Sequence, residues 1–176
     1  MKKRTTKTIE TNMKNKLANV IDLEMDQGFI IEVGLTVVDL ENFEIVSTYS
    51  MPIKPEFNGR VTDHVMELTG WTRAKLDRQG EDLGTVINRL KTKHGASNRL
   101  CVVDSLGEIK AFGDKSPFRP CCLNVSDLYA IKHKKFGKSP SLEEMLFEHG
   151  LDFVGDQHRA DDDSFNIARL FIELVR

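Results

Sequence analysis

The chain has 176 residues, of which 40% are hydrophobic and 30% are charged, a composition typical of one soluble domain with its own core. The formal net charge of −2 argues against high-affinity binding to duplex nucleic acid but leaves room for a site built from clustered carboxylates.

No apolar run is long enough to cross a bilayer, and residues 1–16 are polar and basic without the apolar stretch of a secretory signal. The three cysteines, Cys101, Cys121 and Cys122, match no metal or disulfide spacing. We therefore expect a cytoplasmic protein without a membrane partner.

The pattern predicts a flexible basic leader over residues 1–16 and one domain over residues 17–176. Apolar or alternating segments rich in Val, Ile, Leu and Thr predict strands. The predicted strands are 17–23, 29–40, 43–53, 99–103 and 121–125. Because short turns separate the first three, we expect them to form an antiparallel meander.

Helices are predicted between and after the later strands, from caps and from apolar stripes at helical spacing. The predicted helices are 63–69, 81–93, 105–112, 126–134, 141–150 and 163–175. Ser141, with Glu143 and Glu144 in the first turn, has the pattern of a capped helix start. The order of elements favours an α/β domain, with a central mixed five-stranded sheet flanked by helices.

Two carboxylates stand close together on the first predicted strand. Asp22 and Glu24 are two residues apart, so the period of a strand places both on one face. Like charges on a mostly buried strand need compensation, which a divalent cation with hard oxygen ligands provides. The alternative is a strand end at the surface with two solvated acids, and Asp-x-Glu alone does not exclude it.

A second polar cluster precedes the last predicted helix. Asp161, Asp162 and Asp163 suit the start of a helix, where one acid caps the helix and the others interact with its dipole. This interpretation leaves His158 without a role. A histidine beside a carboxylate and a metal is suited to take a proton from an attacking water.

Read in order, these segments resemble the DEDDh 3′→5′ exonucleases, which have a ribonuclease H-like fold. Residues 20–25 (Val-Ile-Asp-Leu-Glu-Met) resemble the first motif of that superfamily, and residues 31–34 (Ile-Glu-Val-Gly) the strand after it. Residues 63–72 look like its helix ending in Leu-Thr-Gly. Residues 158–168 (His-Arg-Ala-Asp-Asp-Asp-Ser-Phe-Asn-Ile-Ala) match the last motif. The resemblance extends over residues 17–175 and is greatest to the branch of histone-mRNA and RNA-interference exonucleases and KinA-pathway inhibitors.

The resemblance implies a hydrolase that removes 5′-mononucleotides from single-stranded 3′ ends, with RNA as the expected substrate. Two Mg²⁺ or Mn²⁺ ions about 3.5–4 Å apart are expected, one activating water and one stabilising the leaving oxygen. Asp22, Glu24 and Asp163 are the implied ligands, together with an acid from a second motif. His158 is the implied general base.

The second motif departs from the family pattern. When Phe112 is aligned with the large apolar residue of that motif, Glu108 stands where the family has Asp. Residues 103–107 also lack the usual Trp-Gly. Register favours Glu108 as the fourth ligand, while Asp104, one helical turn earlier, is the alternative. A third interpretation is that the site is weakened or inactive.

Substrate contacts are less specific in the sequence. Met25, directly after the first motif, is placed to contact the terminal sugar or base, although a core methionine is an equal alternative. Trp71 and Phe29 are candidate stacking surfaces. We expect Trp71 to be partly exposed in a loop, and Phe29 more often to be buried.

Two other functions remain as alternatives. One is a catalytically silent regulator or nucleic-acid-binding protein, and the other is a DNA proofreading exonuclease, so DNA also stays open as a substrate. A homo-oligomer is not indicated, because no exposed apolar stripe argues for one.

Overall fold

A computed structural model describes residues 16–118, 122–137 and 140–176. The predicted leader lies outside the described residues except for Lys16, and so does Cys121. Within the described ranges, no helix combines the length and apolar character needed to cross a membrane.

The centre of the protein is a five-stranded sheet. Its strands are β1 (Leu17–Asp26), β2 (Phe29–Asp39), β3 (Glu44–Pro52), β4 (Leu100–Val103) and β5 (Cys122–Asn124). The strand order is β3-β2-β1-β4-β5. The first three strands form the predicted antiparallel meander, whereas β4 pairs parallel to β1 and β5 parallel to β4. The predicted mixed five-stranded sheet is confirmed.

Helices cover the sheet on both faces. They are α1 (Asp63–Thr69), α2 (Arg73–Gln79), α3 (Leu83–Thr92), α4 (Leu106–Ala111), α5 (Val125–His133), α6 (Leu142–Glu148) and α7 (Ala160–Val175). Local signals explain where several begin. Thr62 caps α1, and Ser141 forms a capping box with Glu144 at α6, as its sequence predicted.

The sheet separates the core into two layers. The side chains of its central strand, β1, alternate between these layers. Ile21 packs in the layer that contains α3, whereas Ala18 and Val20 pack against the layer that contains α5, α6 and α7. Even-numbered residues of β1 therefore point toward α7. This alternation sends Asp22 and Glu24 to the α7 side of the sheet.

One helix was not predicted, and two boundaries lie three residues from their predicted positions. Helix α2 was not predicted, because Leu76 is its one buried residue and leaves no apolar stripe. β1 continues beyond residue 23 to Asp26. α7 begins at Ala160 rather than 163, so the three aspartates form its first turn instead of preceding it, where the positive end of the helix dipole favours them.

Candidate metal centre and active site

Three of the predicted acids meet at one place. Asp22 and Glu24 from β1 and Asp163 from α7 each present a carboxylate oxygen, and these atoms all lie within 4.8 Å of one another. All three residues are partly buried. The expectation that Asp22 and Glu24 share a face is confirmed, because both face the same helix.

A glycine of β2 allows the start of α7 to approach the sheet closely. Gly34 of β2 pairs with Asp22, and a Cβ atom at Gly34 would stand 1.7 Å from the carbonyl oxygen of Ala160. No side chain fits in that space. Beside this contact, the buried hydroxyls of Thr36 and Ser164 hydrogen-bond at 3.0 Å. The close approach places the first turn of α7, and so Asp163, next to the acids of β1.

The surroundings of the three carboxyl groups favour the protonated form of each. Burial is the largest cause for each, and the neighbouring carboxylates add to it. Together these effects raise the pKa of Asp22 well above its usual value. They raise the pKa of both Glu24 and Asp163 to about 7. Ionised at neutral pH, the cluster has strong unfavourable repulsion that a cation would relieve.

Glu108, on α4, interacts electrostatically with this cluster. It is the largest electrostatic contributor to the raised pKa of Asp22 after burial itself, and burial raises its own pKa to about 8. One oxygen, Oε1, accepts a hydrogen bond from the backbone N–H of Ser105 at 3.1 Å and completes a capping box. The other, Oε2, is buried and has no hydrogen-bond partner among the described residues.

Asp104, the alternative to Glu108, is committed elsewhere. Its Oδ1 accepts a hydrogen bond of 2.6 Å from the Ser126 hydroxyl. Of the neighbouring carboxylates that raise the pKa of Asp22, Asp104 has the smallest effect. Glu108 therefore has the larger electrostatic effect of the two on Asp22. Neither residue lies within the 4.8 Å group formed by the other three.

This donor set fits a divalent cation. Carboxylate oxygens are the ligands that hard divalent cations prefer. A buried carboxylate oxygen without a donor, as Glu108 Oε2 is, carries an unfavourable free energy that coordination would remove. The acidic cluster is therefore compatible with binding of a divalent metal.

His158 borders the acidic cluster from the loop before α7. It lines a cavity of about 180 Å³ together with Asp163, and it is exposed. Its φ is 60°, a left-handed conformation that is uncommon for a residue with a Cβ. Hydrogen bonds from the backbone of His158 and Arg159 to Asp163 oppose the burial that raises the pKa of that carboxyl group. The loop thus holds the imidazole and the carboxylate at one cavity.

Two side chains of α7 fix this loop, and sequence reasoning did not identify them. The amide of Asn166 donates to the carbonyl of Val154 at 2.8 Å and its Oδ1 accepts from the Val154 N–H at 3.1 Å. Asp162 Oδ2 accepts from the N–H of Asp156 at 2.9 Å. Asn166 is fully buried and belongs to the Asn-Ile-Ala segment of the last motif. That segment is the sequence signal for its contact with Val154.

A buried glutamate of β2 links several elements around the acidic cluster. Glu32 is completely buried; its Oε2 accepts from Trp71 Nε1 at 2.7 Å, and its Oε1 lies 3.6 Å from Arg159 Nη2. Ser50 Oγ donates to Oε1 as well. Arg159 also lies over the Trp71 ring at 5.2 Å and lowers the pKa of Glu24, against the larger effect of burial. The network ties β2 and α7 to the acidic cluster.

The expected exposure of Trp71 is wrong. Its side chain is only 5% exposed, because the indole N–H donates a hydrogen bond to the buried Glu32 rather than facing solvent. Phe29, by contrast, is 38% exposed and lines a cavity of about 320 Å³ with Phe112. Met25 follows a bulge in β1 and is 36% exposed, so it is not a core residue.

Sequence relatives include mammalian exoribonucleases. The chain is 27% identical to the proteins named 3′-5′ exoribonuclease 1 of Rattus norvegicus and of Homo sapiens, and each alignment covers 84% of this chain. It covers 47% of the rat protein and 46% of the human one. The chain thus spans about half the length of these relatives.

Solved structures share the fold. One describes 3′-end recognition of a histone mRNA stem-loop by a 3′-exonuclease; it matches with a TM-score of 0.75 at 23% identity, covering 92% of this chain and 82% of that one. Another is the nuclease domain of a DEDDh family member bound to rAMP; its TM-score is 0.73 at 24% identity, with 92% of both chains covered. The predicted ribonuclease H-like fold is confirmed.

The family model described as RNase_T, exonuclease, matches residues 10–171. The matched range contains every residue of the acidic cluster, together with Glu108 and His158. It also contains the glycine and the buried glutamate that hold α7 against the sheet. The chain belongs to the RNase_T exonuclease family.

Proposed function

We propose that the protein is a metal-dependent 3′→5′ exonuclease that releases 5′-mononucleotides from single-stranded RNA. The observation that carries this proposal is the convergence of Asp22, Glu24 and Asp163 within 4.8 Å in a chain of the exonuclease family. The names of the relatives, which are 3′-5′ exoribonucleases, support RNA as the substrate. Structural neighbours bound to rAMP or recognising an mRNA stem-loop support it further.

Mg²⁺ or Mn²⁺ is the proposed cofactor, as two ions held by Asp22, Glu24, Asp163 and Glu108. When bound, such ions activate water and stabilise charge on the leaving 3′-oxygen. The side chains contribute charge and orientation. Glu108 offers the buried Oε2 while its Oε1 remains on the N-terminus of α4, so the helix fixes where the free oxygen points.

His158 is the proposed general base. Its ring borders the same cavity as Asp163, and in the neutral form it can accept a proton from the water that attacks the terminal phosphodiester. The left-handed backbone at His158 is the kind of local strain that surrounding structure maintains at functional positions. Met25, exposed beside Glu24, is the proposed contact to the terminal sugar or base.

Labelled single strands test the proposal. Purified protein is incubated with 5′-labelled RNA and with DNA of the same sequence, in Mg²⁺ or Mn²⁺, with EDTA as a control, and a 3′-labelled set reports the first product. We expect stepwise 3′ shortening that EDTA abolishes, a labelled 5′-mononucleotide as first product, and faster loss of RNA. Faster loss of DNA would instead favour a proofreading activity.

A catalytically silent member of the family is the second candidate. The observation that favours it is the use of Glu108 Oε1 as a helix cap, which leaves one oxygen where the family has an Asp. Folded protein that shortens neither strand with either metal, but still binds RNA, would identify this function. Glu108→Asp would then be the variant to test for restored turnover.

A cytoplasmic location stays a prediction.

A further inference from the structure

A third cavity lies on the face of the sheet opposite the acidic cluster. It measures about 580 Å³ and is lined by the edge strand β3 and by residues at and beyond the end of α3. Its basic lining residues are Arg89, Lys93, His94 and Arg99. Since Met51 of β3 lines it and also packs in the α3 layer of the core, this basic cavity and the acidic cluster face opposite sides of the sheet.

The positive charge in this basic cavity is not balanced. Glu81 pairs with Arg89. Among the described residues, no carboxylate lies within 4.0 Å of Lys93 or Arg99. Burial lowers the pKa of His94, and the nearby cations Arg99, Arg89 and Lys93 lower it further. The cavity therefore has a positive potential without an anion of the described chain to satisfy it.

Arg99 is held in place by neutral groups. Its Nη1 donates to the side-chain oxygen of the buried Asn19 at 3.4 Å, and its buried Nε has no acceptor in the part of the chain that the structure describes. Gly95 covers that nitrogen, because a Cβ atom there would lie 3.3 Å from Nε. The result is a partly buried, oriented guanidinium that lacks a charged partner. Arranged in this way, guanidinium groups bind phosphate with good geometry.

Tyr49 adds an aromatic surface to the same cavity. Its side chain is 42% exposed, and its ring meets the His94 ring edge-on with centroids 4.8 Å apart. An exposed aromatic ring next to cations is the combination that binds a base and its phosphate in single strands. The volume of about 580 Å³ is within the usual range for small-ligand sites.

We infer that the basic cavity between β3 and the end of α3 binds a nucleotide, with Lys93 and Arg99 on its phosphate and Tyr49 beside its base. The nucleotide is either free or part of a strand. Binding here does not depend on hydrolysis, so the inference stands or falls separately from the proposed exonuclease.

The test measures binding of 5′-AMP and of single-stranded RNA to the full chain in EDTA, where turnover is blocked. Lys93→Gln removes an exposed cation of the cavity, and Lys91→Gln removes an exposed lysine at the end of α3 that does not line it. Arg99→Gln is the second cavity variant, used after circular dichroism shows that it folds. We expect each cavity variant to weaken binding about tenfold, with Lys91→Gln unchanged.

The two sources of the nucleotide give different results. Weaker binding of both 5′-AMP and RNA in the cavity variants means that the site accepts free nucleotide. An effect on RNA alone, with the slope of log affinity against log salt reduced by about 0.7 per cation removed, means that it accepts a nucleotide within a strand. Absence of binding to either probe, or equal effects of Lys91→Gln and Lys93→Gln, would overturn the inference.

Discussion

Replacing Glu108 by Gln should stabilise the metal-free protein. Folding raises the pKa of this carboxyl group from 4.5 to about 8, mainly through burial. Ionisation in the folded state therefore costs free energy above pH 4.5, and the full cost is present above pH 8. Gln retains the oxygen that accepts from Ser105 N–H, so the capping box can persist, while the charge is removed.

The size of the effect follows from the shift. A change from 4.5 to about 8 corresponds to at most about 5 kcal/mol above pH 8 and about 3 kcal/mol at pH 7, at 1.36 kcal/mol per pKa unit. The difference should vanish well below pH 4.5, where the carboxyl group is protonated in both the folded and the unfolded chain.

Urea unfolding in EDTA at pH 5, 6.5 and 8 measures the effect. Glu67→Gln, at an exposed position of α1, is the matched control and should not alter the pH dependence. Adding Mg²⁺ should stabilise the wild type more than Glu108→Gln, because a cation bound to the folded state adds stability by mass action. A stability gap between wild type and Glu108→Gln that does not change with pH would refute the reasoning.

Three further substitutions test the supports of the site. Gly34→Ala should cost activity about 100-fold and lower the urea midpoint, because its Cβ would stand 1.7 Å from the Ala160 carbonyl oxygen; unchanged turnover would contradict the close contact. His158→Gly should lower kcat about 100-fold or more without loss of stability, since glycine relieves the φ of 60°; an equal loss of stability would make His158 structural. Trp71→Phe should cost about 1–3 kcal/mol by leaving Glu32 Oε2 without its 2.7 Å donor, measured by circular dichroism; unchanged stability would contradict that contact.

The predictable part of the fold came from periodic patterns and caps. The apolar stripe of α7, including Ile167, Leu170 and Phe171, is buried as expected. Helix α2 lacked such a stripe, and Thr72 alone marked its start. The start of α7 was placed too late because its N-cap, Arg159, makes no side-chain capping bond.

The site was predictable where its signal is local or ordered along the chain. The spacing of Asp22 and Glu24 and the order of the motifs predicted the acids that the structure brings together. Glu32 was not identified, because its partners lie on β3, before α2 and at α7, far away in sequence. The same long-range contact made the prediction for Trp71 wrong.

Glu108 fits two roles in the sequence, as a helix cap and as a member of the acidic site. Ser105 and Glu108 stand at the spacing of a capping box, and the structure forms that box. The same glutamate has a second, buried oxygen without a hydrogen-bond partner among the described residues, and its charge raises the pKa of Asp22. Sequence alone does not separate these roles, since both need a carboxylate at that position.

Two aspartates in the first turn of α7 provide the most direct test of the proposed active site. Asp163 belongs to the acidic cluster, whereas Asp161, two residues earlier in the same turn, does not. Shortening of 5′-labelled RNA under single-turnover conditions in Mn²⁺ gives the rate for Asp163→Asn and for Asp161→Asn. We predict a loss of at least about 100-fold for Asp163→Asn and a wild-type rate for Asp161→Asn. Equal rates for the two variants, whether both active or both inactive, would contradict the claim that this cluster performs the chemistry.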